Sequence, residues 1–235
     1  MGIQERKERE KEARREEILN AAHAVFNEKG LTGSTVDDIA AAAELSKGTI
    51  YLYFHSKEDL YLAVMNRGID IMQGMFERAL STGEDPIKLA WNLADAYYAF
   101  FEEHRDYFRM FTFFESPQFH TLVSEEMLAE CLLRDKKTWG LVSGVIKQAI
   151  DAGLFHTGLD PLEVGVMLWS NANGLLRQLD RNETYWLTAM GVDLRQTLRK
   201  STGLLMEAMM TGKAMQLHPE YLQHHGSDGT QEKKS

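Results

Sequence analysis

Residues 34–60 read STVDDIAAAAELSKGTIYLYFHSKEDL, two short helices and the start of a third. Thr35 suits the N-cap of the first helix, and Asp38, three residues on, completes a capping box. Val36, Ile39, Ala40 and Ala43 recur at helical spacing and give that helix one apolar face. Glu44-Leu45 makes the break. Ser46 is the N-cap for a second helix running from Lys47 to about Phe54, and Ser56 with Asp59 repeats the capping signature for a third. Two helices joined by a turn of this length, the second carrying outward side chains, form the layout of a DNA-binding helix-turn-helix.

The same run, with its caps, Gly-Thr, Tyr-x-x-Phe and Ser-Lys-Glu in register, closely resembles the signature of the tetracycline-repressor (TetR-like) family of bacterial transcription regulators. The resemblance is close from about Ile18 to Leu62. Beyond it rests on chain length, helical pattern and the phrases Asp151-Ala152-Gly153-Leu154-Phe155 and Asp160-Pro161. It implies an all-α protein, with an N-terminal three-helix DNA-binding domain and a larger helical domain for ligand binding and dimerisation. The domain limits read as 1–60, 61–212 and a flexible tail over 213–235.

Composition sets bounds on this reading. A chain of 235 residues, 44 % hydrophobic and 26 % charged, can bury a real core. No apolar run reaches the ~18 residues of a membrane span. The charged N-terminus lacks the apolar segment of a secretory signal, and the single Cys131 fits a reducing cytoplasm as an inert core thiol. The net charge of −9 runs against nucleic-acid binding, and residues 1–60 hold nine Lys and Arg against twelve Asp and Glu. That balance predicts weak non-specific binding and a specificity that leans on base contacts.

Residues 1–12 are a mixed-charge run, read as a frayed, solvated helical extension. A basic arm through Arg6, Lys7, Arg9 and Lys11 is weakened by the interleaved glutamates. A helix follows over Ala13–Lys29, with Ile18, Leu19, Ala22, Val25 and Phe26 on one face and Gly30 as its stop. The helix from Ser56 continues through Leu60, Val64, Met65, Ile69, Met72 and Phe76, long enough for a rigid connector that the resemblance makes a relay. Further helices are expected over Pro86–Glu103, Asp106–Glu115, about Val123–Ala152, Asp160-Pro161 to about Asp180, and about Leu187–Met210. No strand alternation appears.

A recognition helix turns its N-terminal residues toward base edges, which singles out Lys47, Thr49, Tyr51 and Tyr53. Gly48 permits close backbone approach. Thr35 at a helix start, with Tyr51, His55 and Lys57 on the other side, suits phosphate. The resemblance carries Thr35, Lys47, Thr49, Tyr51, Tyr53, His55 and Lys57 as DNA-contacting positions. Asp37 also falls at a family contact position, where it reads better as a first-turn acid favoured by the helix dipole.

The aromatic middle of the chain is either packed core or the lining of a cavity, and periodicity does not separate the two. The resemblance implies an effector pocket, with Tyr97, Phe101, Phe108, Phe111, Trp139 and Asn171 as lining candidates. Few basic residues lie near them, which favours an apolar or aromatic effector. The last two long helices are apolar on more than one face. Leu168, Trp169, Leu176, Leu194, Leu198 and Leu205 are the candidates for a two-fold, four-helix interface.

The expected function is a DNA-binding regulator, most often a repressor in this family. It binds a palindromic operator as a homodimer and is released by a small effector. Its partners are duplex DNA, a second copy and that effector, with no cofactor or metal. The rival readings are a helical ligand-binding or protein-interaction module without DNA activity, and an enzyme. For the enzyme the chain carries no G-x-G-x-x-G, P-loop, H-E-x-x-H or C-x-x-C motif.

Overall fold

A computed structural model describes residues 2–83, 85–114 and 117–222. Among them the chain is helical throughout, as the caps and periodicity predict, with one isolated antiparallel bridge between Phe155 and Met210. It divides into two compact units. Unit 1 is Met1–Gln73 with Glu103–Lys136, and unit 2 is Gly74–Glu102 with Lys137–Ser235.

Unit 1 holds α1 (Ile3–Gly33), α2 (Val36–Ala42) and α3 (Lys47–Tyr51). It also holds the first part of α4 (Lys57–Leu80), with α6 (Arg105–Phe114), α7 (Pro117–His120) and the start of α8 (Glu125–Asp151). Helix α1 begins at Ile3 and breaks at Gly30, whose φ of 68° suits a residue without Cβ. Ile18, Leu19, Ala22, Ile39, Ile50, Phe54, Leu60 and Val64 are buried, so α1 closes over the two short helices and the base of α4. Each of the Ile, Leu, Val and Phe side chains among them contributes about 1.5–3 kcal/mol of burial. Tyr61 sits edge-on between Phe26 and Phe119, with ring centroids 5.0 and 5.7 Å away. Gly68 admits the Tyr107 ring against the α4 backbone, where a Cβ would meet ring carbon at 2.7 Å.

A polar seam ties α4 to α8. Asp59 Oδ1 accepts the Ser124 N–H at 2.7 Å, Gln73 Nε2 donates to the Arg134 carbonyl at 2.7 Å, and Arg134 Nε donates to Asp70 at 2.9 Å. Asn66, seven residues from Asp59 and from Gln73, is buried with neither amide atom bonded to a described residue. Cys131 is fully buried, and burial pushes its thiol up to about 12, consistent with an inert core thiol.

Unit 2 holds the rest of α4 and α8, with α5 (Pro86–Glu103, to Glu102), α9 (Pro161–Ala189), α10 (Leu194–Met209) and α11 (Gly212–Leu217). Asp160 caps α9 by accepting from the N–H groups of Leu162 and Glu163, both at 2.9 Å. α9 runs past its expected end near Asp180, with a kink at Asn182 (φ −136°) that breaks the geometry without ending the helix. Leu187 and Met190 therefore belong to the α9 end, and Asp193 caps a shorter last long helix at Leu194. The stretch expected to be a flexible tail is built in as far as a 3₁₀ turn over Pro219–Tyr221. Thr211 caps α11, Ala214 is fully buried, and Tyr221 stacks on Trp91 at 5.4 Å. The remainder of that expected tail, residues 223–235, lies outside the described residues.

Candidate nucleic-acid interface

The interface begins with two caps. Thr35 Oγ1 accepts the Asp38 N–H at 3.1 Å, and Asp38 Oδ2 accepts the Thr35 N–H at 2.8 Å, which closes the capping box. Lys29 Nζ also reaches Asp38, at 2.7 Å. The Lys29 ammonium, then the Thr35 donors, hold the Asp38 carboxyl down at about 2. Ser46 Oγ accepts the Thr49 N–H at 3.1 Å and shares a 2.8 Å hydroxyl bond with Thr49 Oγ1.

Between the caps, α2 ends in a Schellman motif. Leu45 N–H bonds the Ala40 carbonyl at 2.9 Å and Glu44 N–H the Ala41 carbonyl at 3.2 Å. Glu44 takes the left-handed conformation (φ 55°), where glycine or asparagine is usual. That turn fixes the angle at which α3 leaves. Helix α3 is continued to Phe54 by bonds from Tyr53 and Phe54 N–H to the Ile50 carbonyl, at 3.0 and 3.1 Å. Ile50 and Phe54 are its buried anchors, as expected.

The sequence candidates fall in three groups. Thr35, Lys47, Gly48, Tyr51 and His55 are exposed; Thr49 and Tyr53 are half-buried. Lys57 is half-buried too, and its ammonium donates to the carbonyls of Leu31 and Ser34 at 2.6 and 2.8 Å, fastening α4 to the end of α1. Lys47 Nζ lies 2.8 Å from Asp37 Oδ2, and that acid raises the lysine above its ordinary value. Asp37 is thus a partner of the leading recognition residue. Gly48 lies outside the left-handed region and a Cβ there would meet Ser46 Oγ at an ordinary 3.7 Å, so the free protein does not require glycine there.

Leu52 was not singled out from sequence. It is 81 % exposed on the turn that follows Tyr51 and suits a thymine methyl. The readable signal was an apolar residue on neither buried stripe.

In unit 2, a cleft of about 390 Å³ is lined by Tyr98, Phe101 and Glu102 from α5, Leu176 and Leu179 from α9, and Arg195, Gln196, Leu198 and Arg199 from α10, with Asp193 before it. Arg195 is held by Glu102 and Glu183 at 2.5 and 3.0 Å. Of the six effector-pocket candidates, Phe101 lines this cleft. Tyr97 is buried with its hydroxyl on Asn173, at 3.3 Å; Asn171 is tied to Ser201, at 2.9 Å; Trp139 packs on Trp169, at 5.9 Å. Phe108 and Phe111 belong to unit 1.

The six interface candidates also divide. Leu176, Leu194 and Leu198 are enclosed by unit 2 itself, which corrects their expected outward role: a stripe at helical spacing marks burial without saying against what. Leu168 and Leu205 are half-buried and Trp169 is exposed. Leu162, Val166, Met167, Tyr185 and Leu187 on α9 and Leu204 on α10 are also exposed.

Residues 18–64 match the model for bacterial regulatory proteins of the tetR family. Over 165 residues the chain is 33 % identical to the HTH-type transcriptional regulator RutR of Escherichia coli O157:H7, covering 68 % of this chain and 72 % of that one. The chain belongs to the TetR family. Another family relative is the HTH-type transcriptional repressor KstR2 of Mycolicibacterium smegmatis, 27 % identical over 63 % of this chain and 70 % of its own. The structure of the TetR-family regulator PfmR from Thermus thermophilus has the same fold, with a TM-score of 0.62 at 22 % identity, over 81 % of this chain and 97 % of that one. As a TetR-family member the chain is a ligand-responsive, DNA-binding transcriptional regulator. No helix among the described residues is long and apolar enough to cross a membrane.

Proposed function

We propose that this protein is a cytoplasmic repressor, a regulator rather than an enzyme, that binds a palindromic operator as a homodimer and leaves it when a small apolar or aromatic effector binds. The observation that carries the reading is the exposed row Lys47, Gly48, Tyr51 and Leu52 on a helix whose angle is fixed by two caps and a Schellman turn. Lys47 donates to guanine or phosphate, Thr49 and Tyr51 to backbone or base edges, and Leu52 contacts a thymine methyl. Thr35, Tyr53, His55 and Lys57 flank them; Lys57 has one N–H left beyond its two carbonyl bonds. Residues 1–60 are the DNA-reading part of this proposal, and 61–212 the effector and dimer part.

The cleft beside Phe101, Leu176 and Leu198 supports the effector assignment through its apolar wall; of its two arginines, Arg195 is matched by Glu102 and Glu183, and Arg199 is the second cation of the lining. For release, the effector has to bind the DNA-incompetent state more tightly than the other. The second copy covers the outward stripe Leu162, Val166 and Trp169, spaced one and two turns apart on α9, with Leu204 on α10.

Fluorescence anisotropy against the intergenic DNA upstream of its own gene tests the reading. Wild type is expected to bind at nanomolar concentration, and Lys47→Ala or Tyr51→Ala to lose about tenfold or more, about 1.4 kcal/mol each. Binding untouched by either substitution refutes the assigned interface.

A further inference from the structure

Helix α1 starts well before its packed part. Residues 4–14 are exposed, and burial begins at Arg15 and Glu16. At about 1.5 Å per residue this leaves an extension of roughly 16 Å. In the linear sequence its lysines and arginines alternate with glutamates, but the helix sorts them by face. At about 100° per residue, Lys7, Lys11, Arg14 and Arg15 fall within one sector of roughly 100°. No glutamate of this stretch points into that sector; Glu8 and Glu10 border it, and Glu5, Glu12 and Glu16 lie on the far side.

The observed ion pairs leave the two lysines of the stripe out. Arg6, outside the stripe, is bound to Glu10 at 2.7 Å, and Arg9 bonds the Glu5 carbonyl at 3.4 Å. Arg14 touches Glu17 at the stripe's flank, at 2.6 Å, and Arg15 lies 3.9 Å from both Glu12 and Glu16. Lys7 and Lys11 have no ion pair among the described residues. Toward the body of unit 1 the stripe runs into the buried face of Ile18 and Ala22. At that junction the Arg15 guanidinium lies over the Phe54 ring, 5.5 Å from its centroid. Phe54 closes the turn that follows the recognition helix. The basic face thus continues from the recognition-helix anchor.

We propose that the first turns of α1 form a phosphate-binding rail for duplex DNA, with Lys7 and Lys11 as its contacts and Arg15 fixing its direction. The inference rests on the DNA-binding reading above and adds a sequence-independent element that the net charge of the chain conceals. DNA carries one charge per ~3.4 Å of axis on each strand, so an extension of roughly 16 Å spans several phosphates. The charge sorting also gives the exposed turns a reason to be basic on one side.

The test compares two charge-matched variants of the full chain, Lys7→Gln/Lys11→Gln and Arg6→Gln/Arg9→Gln, on a random-sequence 40-base-pair duplex across a salt series. All four positions are exposed and glutamine is a good helix former, so both variants should melt like wild type. The rail variant is expected to flatten the slope of log K against log salt by about 1.8, two contacts at ~0.9 each. At 0.15 M salt it is expected to weaken binding by roughly tenfold or more. The Arg6/Arg9 variant is expected to shift the slope by less than about 0.5. Equal shifts in both variants, or none in either, would overturn the rail while leaving the recognition helix intact. Failure of wild type to bind this duplex or its own upstream DNA would instead overturn the DNA-binding reading and the rail with it.

Discussion

Lys47 shares its charge with Asp37, and a DNA phosphate or base edge must compete with that acid. The pair is exposed, so the contact itself is weak. Its effect on DNA binding is larger, because Asp37 also brings a negative charge toward the phosphates. Asp37→Asn is expected to raise affinity for unrelated duplex DNA and to steepen the salt slope by about one contact. Anisotropy on a random and an upstream duplex reads both, and specificity is expected to fall. Gly48 is the second residue to probe. A Cβ there fits without a clash, 3.7 Å from Ser46 Oγ, so Gly48→Ala should stabilise α3 by up to about 1 kcal/mol. If the backbone there approaches DNA closely, the same variant binds the upstream duplex more weakly. Stabilisation without loss of binding would remove that role. Asp38 gives a pH test. Its carboxyl sits at about 2 in the folded chain, below the ordinary 3.8, so its stabilising contribution is present above about pH 4. That contribution is lost as pH falls through the folded value. The urea midpoints of wild type and Asp38→Asn should therefore converge as pH drops from about 4 toward 2.

At the scale of elements, local chemistry was legible wherever one residue decides a helix end. Thr35 with Asp38, Ser46, Ser56, Asp160-Pro161, Gly30 and Gly153 each carry their instruction alone, and the helices begin and end beside them. Positions decided by a distant partner were not legible. Lys57 reads as an exposed basic residue after a cap, yet α1 ends beside it and takes its ammonium. The apolar spacing of Leu176, Leu194 and Leu198 marks a buried face and leaves the covering surface unnamed. Glu44 occupies a left-handed position without glycine or asparagine to announce it. Tyr221, in a polar stretch, is held by Trp91, more than a hundred residues away. Asn66 is a further element-scale feature, an unbonded amide in the middle of the α4–α8 seam. Burying such a group costs about 1–3 kcal/mol. Asn66→Leu, of similar shape, should raise the unfolding free energy by that amount, read from the urea midpoint. An unchanged or lowered midpoint would mean that the amide has a bonding partner in solution.

At the scale of the whole molecule, a reader of palindromic DNA needs two recognition helices held at a fixed separation. The outward apolar stripe on α9 and Leu204 on α10 is the surface assigned to that task. A charge placed in its centre leaves an unpaired ion in the covered face, which is strongly unfavourable. Trp169→Glu should therefore shift the protein from dimer to monomer in sedimentation velocity at micromolar concentration. It should reduce operator affinity with it, while the helical circular dichroism stays as in wild type. A variant that remains dimeric would move the interface elsewhere. Selection of genomic DNA fragments on the purified wild-type protein, with Lys47→Ala in parallel, tests the central claim most directly. The predicted result is enrichment of an inverted repeat whose half-site centres lie about 34–36 Å apart, or a multiple of that spacing, and its loss in the variant. Recovery of no common sequence, or of the same sequence by both proteins, would contradict it.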